Sequence, residues 1–371
     1  MTFDDHRISA AQAATVQAGA DALLITPGPD LRYLTGYEAV ALERLTCLII
    51  PSSGKPCLVA PQLEVAAAEA SPLGTLAVTI HGWSETDDPY SLVASLLPGA
   101  AKVALSNTMS ALAVLKLRDA MPSARQQLAG DILRELRMIK TPPEVEQLRR
   151  AGRAIDRVHE QVPDLLRPGR TEREVADDIA EAILEAGHHT VDFVIVGSGP
   201  NGASPHHEVS DRRLNVGDVV VVDIGGSLPS GYCSDSTRTY AIGHAPPDFL
   251  EYYRVLQDAQ ARAVATVRPG VTAESVDAAA REPIDAAGFG EHFIHRTGHG
   301  IGLETHEEPY IVAGNDEPLR PGMAFSVEPG IYLAGRHGAR IEDIVVVTDD
   351  GVESLNQTTH DLVVVDQSFS A

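Results

Sequence analysis

Cysteine is scarce in this chain, with Cys47, Cys57 and Cys233 the three present in 371 residues. Three thiols cannot all pair within one chain and none has CxxC spacing, so neither a disulfide framework nor a thiolate zinc site is expected. They read as small, buried or half-buried residues. Basic residues are also few, 29 Lys and Arg against 52 Asp and Glu, for a formal net charge of -23. That balance argues against a nucleic-acid backbone or an anionic membrane as a partner. No stretch approaches the roughly 18 consecutive apolar residues of a membrane span. The start, MTFDDHRISA, has no basic region running into an apolar segment, so a cytoplasmic location is expected. Two catalytic signatures are missing as well. The residues after the first strand candidate, Thr26, Pro27, Gly28, Pro29 and Asp30, lack the glycine spacing of a phosphate-binding loop. No G-x-S-x-G elbow occurs for a serine nucleophile.

What is present points to two domains. The length exceeds that at which one core usually keeps growing, and an apolar fraction of 44% can supply two. Residues 1–130 alternate strand and helix patterns: a helix around 7–19, then strands at Ala22–Ile25, Thr46–Ile50, Pro56–Val59, Leu76–Ile80 and Lys102–Leu105. Such alternation predicts a sheet flanked by helices. A charged amphipathic stretch, Asp131 to Lys140, leads to Thr141, Pro142, Pro143 and Glu144, which reads as a capped helix start. The boundary is placed before Asp131, giving a second domain over 131–371. Helices are expected at 143–166, 171–185, 248–267 and 273–287, and strands at 191–196, 219–224, 236–242 and 325–331. The turn Arg167, Pro168, Gly169, Arg170 is echoed by Arg268, Pro269, Gly270, Val271. The unit Val216, Gly217, Asp218 is likewise echoed by Pro321, Gly322, Met323. These echoes suggest two related halves, although a common turn can also recur independently.

Four carboxylates and one imidazole in the second domain sit in segments able to converge. Asp223 closes the run Val219 to Val222, and Asp235 opens the next strand after a glycine-rich turn. An unpaired carboxylate at the end of a buried strand is costly, so a cation or metal partner is expected. His299 is flanked by Gly298, Gly300 and Gly302, which let the backbone approach a crowded centre. Glu328 precedes Pro329, and Glu342 lies in Arg340–Ile344, where period two puts Arg340, Glu342 and Ile344 on one face and Asp343 on the other. Glu342 is therefore the better ligand candidate of the two. This mostly oxygen set suits a pair of divalent ions, Mn2+ first, with Co2+ or Zn2+ as alternatives. The chemistry indicated is hydrolysis by ion-activated water.

The segments VVVVDIGG, GYCSDSTRTY, HRTGHGIGLETHEEP, FSVEPGIY and GARIEDIVVVT resemble those of the pita-bread metallopeptidases, the superfamily of aminopeptidase P, prolidase and methionine aminopeptidase. PDLRYLTGY and CLIIPSSGKPCLVAP are similar to the Xaa-Pro peptidase branch, so the likeness spans nearly the whole chain. It implies a two-domain α/β and α+β architecture: a creatinase-like N-terminal domain and a pita-bread catalytic domain with a curved antiparallel sheet and helices outside. It assigns Asp223, Asp235, His299, Glu328 and Glu342 to two metal ions. One departure is visible, because the two aspartates stand one position further apart than in many members. The extra residue falls in the Leu228–Ser230 turn and is expected to lengthen a hairpin without moving the carboxylates.

The resemblance also favours His206 as a residue contacting substrate or stabilising the transition state, with His207 on the opposite side. His295 and His306 match positions lining the pocket, and Arg340 is a candidate to neutralise or pair with metal-bound carboxylates. The expected reaction is amide hydrolysis in small peptides. Glu328 shuttles the proton, while His206 or His306 stabilises the developing oxyanion. Xaa-Pro bonds are the expected target, and sequence leaves dipeptidase and aminopeptidase open. A hydrolase of a small non-peptide amide and a silent binding protein remain alternatives. Family analogy further implies a homodimer.

Overall fold

The computed structural model describes residues 3–365, which divide between Arg137 and Met138 into two compact units. In the first, strands β1 (Ala22–Ile25), β2 (Cys47–Pro51), β3 (Cys57–Pro61), β4 (Thr79–Trp83), β5 (Lys102–Leu105) and β6 (Arg125–Leu128) form one mixed sheet ordered β4-β3-β2-β1-β5-β6. Helices α1 (Asp5–Gln17), α2 (Pro29–Thr35), α3 (Val65–Ala70), α4 (Pro89–Leu96), α5 (Ala111–Ala120) and α6 (Gly130–Met138) accompany it. The first three strands are buried almost throughout, as a sheet covered on both faces requires. The helix α6, which the sequence assigns to the second domain, falls almost wholly in the first unit. Its Ile132 and Leu133 are buried, and the Tyr33 hydroxyl donates to the Leu136 carbonyl at 2.7 Å.

The second unit is built from two sheets backed by helices. Strands β7 (Thr190–Ser198), β8 (Val219–Ser227), β9 (Ser236–Ile242) and the late β17 (Val363–Val365) form one, ordered β17-β9-β8-β7. Strands β10 (Gly298–Gly300), β11 (Glu307–Ile311), β12 (Ala324–Val327), β15 (Asp343–Val347) and β16 (Val352–Ser354) form the other, ordered β11-β10-β12-β15-β16. The hairpin β13 (Gly330–Leu333) and β14 (His337–Arg340) stands beside them. Helices α7 (Pro142–His159), α8 (Val162–Leu165) and α9 (Glu172–Glu185) cover the first sheet, while α10 (Pro247–Thr266) and α11 (Ala273–Ala286) cover the second.

The valine run of β8 shows how packing aims the site. Val220, Val222 and Ile224 pack against Ile155, Val175 and Ile179 of α7 and α9, each burial contributing about 1.5–3 kcal/mol. Period two then turns Val221 and Asp223 to the opposite face. The long helix expected over 143–166 breaks after His159, and the strand expected over 325–331 breaks at Glu328 and Pro329. Proline lacks the N–H that a continuing ladder needs.

Hydrogen bonding repeats across the unit. Gly169 N–H donates to Leu214 O and Leu214 N–H to Arg170 O, while Gly270 N–H donates to Leu319 O and Leu319 N–H to Val271 O, all at 2.8 Å. Gly217 and Gly322 turn with φ of 90° and 89°, a region closed to most other residues. They donate to Ile242 O and Val347 O respectively. The echoed turns therefore mark two structurally equivalent halves, in which Asp223 and Glu328 occupy matching places on β8 and at the end of β12. The halves meet at matching residues too, Thr237 bridging to Glu342. Among the described residues no helix is long and apolar enough to cross a membrane.

Candidate metal centre

A cavity of about 880 Å³ opens in the second unit. All five expected ligands, Asp223, Asp235, His299, Glu328 and Glu342, line it, and so do His206, His295, His306 and Arg340. Asp235, His299 and Glu342 come closest, offering ligand atoms all within 4.8 Å of one another. His299 Nε2 lies 3.6 Å from Asp235 Oδ2 and 3.2 Å from Glu328 Oε1. Asp223 and Glu328 complete the ring from the two equivalent strands. The lengthened turn between the aspartates is closed by Gly231 N–H donating to Leu228 O at 2.7 Å, and both carboxylates still face the cavity.

Neighbouring side chains fix each group. Thr237 Oγ1 donates to Glu342 Oε2 at 2.6 Å, and Arg340 donates through Nε to Thr237 Oγ1 at 3.1 Å and through Nη2 to Asp223 Oδ2 at 2.5 Å. Ser326 donates its hydroxyl to Glu328 Oε1 at 2.9 Å and accepts from the His299 N–H at 3.0 Å. His299 Nδ1 lies 3.1 Å from Gly300 O. A bound metal ion would take the Nε2 lone pair, with that contact keeping the ring proton on Nδ1. Tyr332 bridges Arg340 Nη1 at 2.7 Å and His295 Nε2 at 2.9 Å.

The electrostatics fit a cation site. Four carboxylates face one buried guanidinium, and Asp223 Oδ1 is buried with no hydrogen-bond partner. Burial and the neighbouring carboxylates push Asp235 and Glu342 well above the usual carboxylate range. Burial also pushes Glu328 up, but the hydrogen bond and charge of His299 outweigh it and hold that carboxyl down at about 2. Burial lowers both His295 and His306, the latter to about 4 with His299 and Arg296 adding to the effect. An uncompensated cluster of this kind is expensive to bury without positive charge, and an oxygen-rich donor set with one imidazole suits hard divalent ions. The residues present therefore fit the metal pair.

Asp343 does not line the cavity. It pairs with Arg238 at 2.7 Å and His360 at 2.7 Å on the far side. His207, expected opposite His206, also lines the cavity and bonds Glu172 at 2.8 Å, because the irregular backbone there does not alternate like a strand. Thr237, Ser326, Tyr332 and Arg296 escaped the sequence reading. Thr237 could have been found from its place two residues after Asp235, and Arg296 from its place between His295 and His299.

Comparison with known proteins gives the same picture. Residues 146–349 match Metallopeptidase family M24, and residues 7–139 match the Creatinase/Prolidase N-terminal domain. A protein described as "Probable dipeptidase PepE" from Mycobacterium tuberculosis is 56% identical over 97% of this chain and 96% of its own length. An Xaa-Pro dipeptidase from Lactobacillus helveticus is 36% identical over 90% of this chain and 92% of its own. The crystal structure of dipeptidase PepE from Mycobacterium ulcerans superposes with a TM-score of 0.93 at 58% identity, covering 97% of both chains.

Proposed function

Since the chain belongs to metallopeptidase family M24 and carries a creatinase/prolidase N-terminal domain, we propose that its metal-dependent peptide hydrolysis is directed at Xaa-Pro dipeptides. The observation that carries this reading is the single cavity shared by the buried carboxylates, His299 and the histidines beside them. Asp223, Asp235, His299, Glu328 and Glu342 would hold two divalent ions, Mn2+ by preference. When bound, such ions lower the pKa of water and polarise a carbonyl.

The chain's own groups do the rest. Glu328, kept ionised, takes the proton of the attacking water and delivers it to the departing nitrogen. His206 and His306 offer N–H groups to the oxygen on which charge develops, and His295, joined to Arg340 through Tyr332, shapes the wall where substrate rests. Arg340 holds the Asp223 carboxylate in place. Arg296, stacked 4.5 Å from the Tyr310 ring centre, gives the cavity a cation for the free carboxylate of a dipeptide. That cation favours dipeptidase over aminopeptidase, as do the relatives named dipeptidase.

Three further readings belong to this proposal. The first unit acts as the N-terminal domain and the second as the catalytic domain, with the boundary after Arg137 in place of the expected 130, the chain works as a homodimer, and it resides in the cytoplasm, where free cysteines such as Cys47, Cys57 and Cys233 are usual. Removing metal with a chelator and restoring it with Mn2+ or Co2+ tests the reading, using Ala-Pro, Met-Pro and Xaa-Pro-Xaa peptides. Activity that returns with metal and prefers the dipeptides is expected. Turnover indifferent to metal, or none on any Xaa-Pro peptide, would reject it. Sedimentation at the 39.5 kDa of one chain rather than twice that mass would reject the dimer.

A further inference from the structure

Between β7 and β8 runs a loop, 199–210, that places Pro205, His206, His207 and Val209 on the cavity wall. Both its ends close on one carboxylate, that of Glu172 at the start of α9, which has no exposed surface. At the entry, Glu172 Oε1 accepts from the Ser198 N–H at 2.8 Å, the Ser198 hydroxyl at 2.6 Å and Asn201 Nδ2 at 3.0 Å. At the exit, Oε2 accepts from the Ser210 hydroxyl at 2.6 Å and N–H at 3.2 Å, and meets His207 Nε2 at 2.8 Å. Burial alone would raise this carboxyl, yet the hydrogen bonds from Ser198, Ser210 and His207 hold it below its ordinary range. Its lone pairs are spent on the loop, so it has little capacity left for a ligand.

The internal repeat supplies a control. Glu172 N–H donates to Arg212 O and Arg173 N–H to Ser210 O, while Ala273 N–H donates to Glu317 O and Glu274 N–H to Asn315 O. Ala273 thus occupies the place of Glu172 and is equally buried. The second half builds the same helix start and turn around a methyl group, so the carboxylate is not needed for that scaffold. The loops differ instead. In the second half the chain returning from β10 is zipped to it as β11, Gly298 opposite Ile311 and His299 opposite Tyr310. In the first half, among the described residues, the 3-10 turn Gly199–Ala203 is the one regular element between β7 and β8, and Glu172 supplies the tethers that a ladder supplies in the other.

We propose that Glu172 is a positioning residue for catalysis: it ties loop 199–210 at both ends and so holds His206 at the wall of the metal cavity. The Pro205 carbonyl, which faces Arg340 Nη2 at 3.4 Å, carries the same constraint toward Asp223. The role rests on the metallopeptidase reading above.

Glu172→Gln, which turns an NH2 toward groups that are themselves donors, and Glu172→Ala, which copies the second half, test it in the Mn2+-loaded full chain. Hydrogen exchange should rise within 199–210 while metal content and circular dichroism stay at wild-type values. Against Ala-Pro, kcat and kcat/KM should fall together on the order of tenfold or more at wild-type metal content, since His206 meets charge that develops only in the transition state and small misplacements of such groups are costly. Faster loop exchange with unchanged kinetics would overturn the proposal, as would unchanged exchange. A fall in kcat in proportion to lost metal would reduce Glu172 to a structural residue and overturn it too. If both variants fail to fold, Asn201→Ala and Ser210→Ala, each removing one tether, are read in the same way. A wild type without turnover but with exchange raised in the variants would sink the peptidase reading and leave the clamp standing.

Discussion

Glu342 and Asp343 are adjacent, both buried and both acidic, yet they do different work. Glu342 faces the cavity and accepts from Thr237, whereas Asp343 neutralises Arg238, whose guanidinium also donates to the carbonyls of Thr237, Glu342, Thr358 and Thr359. Glu342→Gln should abolish binding of at least one metal with the fold retained, measured by mass spectrometry beside circular dichroism. Asp343→Asn should keep most metal but strand Arg238 as a buried unpaired charge, costing about 3–5 kcal/mol in a urea unfolding titration. The reverse ranking for metal would show that the two faces have been exchanged. A different residue contributes to acid stability. His159 is buried between the Tyr240 hydroxyl at 3.0 Å and the Ser236 carbonyl at 3.1 Å, and burial, with Arg238 nearby, lowers its pKa from 6.5 to about 3. Between those values the unfolded chain binds the extra proton, so the stability tied to this neutral imidazole is complete above 6.5 and is lost as pH falls toward 3. The slope is up to about 1.4 kcal/mol per pH unit. His188, lowered by burial in the same direction, adds its own share, so the test is the difference between wild type and His159→Gln across pH 4 to 7. Parallel curves would refute the assignment.

The short strand β10 carries His299 between two neighbours, and that crowding makes a glycine indispensable. A Cβ at Gly298 would stand 1.8 Å from the Ser326 carbonyl oxygen, which is backbone and cannot swing aside. Gly298→Ala should therefore force β10 and β12 apart, lowering stability on the order of 3 kcal/mol and displacing His299 so that metal content falls with it. Wild-type metal content at a wild-type unfolding midpoint would contradict this. The glycines around His299 were legible in the sequence for this reason, and strands with clean alternation or apolar runs, such as Lys102–Leu105 and Ser236–Ile242, lie where the pattern puts them. Less legible were the places where tertiary geometry overrides pattern. Arg340–Ile344 reads as one strand, but the chain leaves the hairpin at Arg340 and joins β12 from Asp343, so Glu342 lies between two pairings and bridges to Thr237 instead. Leu76–Ile80 slides to Thr79–Trp83, where a parallel ladder with β3 sets the register. The contacts of Ser326 with His299 and of Glu172 with Ser198 and Ser210 carry no local signal, because those partners lie more than 20 residues away in the chain.

At the scale of the molecule, each unit has a core of its own. Leu24, Ile49, Val59, Val103 and Leu117 belong to the first, while the second distributes Val220, Ile179, Phe249, Phe325 and Val345 among clusters behind its sheets. The buried carboxylates lie wholly in the second unit, and with them the demand for positive charge. Divalent ions that bind the native state stabilise it by mass action, and here that stabilisation belongs to one unit. Calorimetry of the full chain should therefore show a transition that moves down when a chelator removes metal and returns with Mn2+, beside one that stays in place. Glu342→Gln should leave the movable transition near its metal-free position whatever the Mn2+ concentration, because the ligand is lost while the core is not. A single transition that shifts as a whole would mean that the two units unfold together. Two transitions that both ignore the chelator would mean that the carboxylate cluster is balanced by something other than metal.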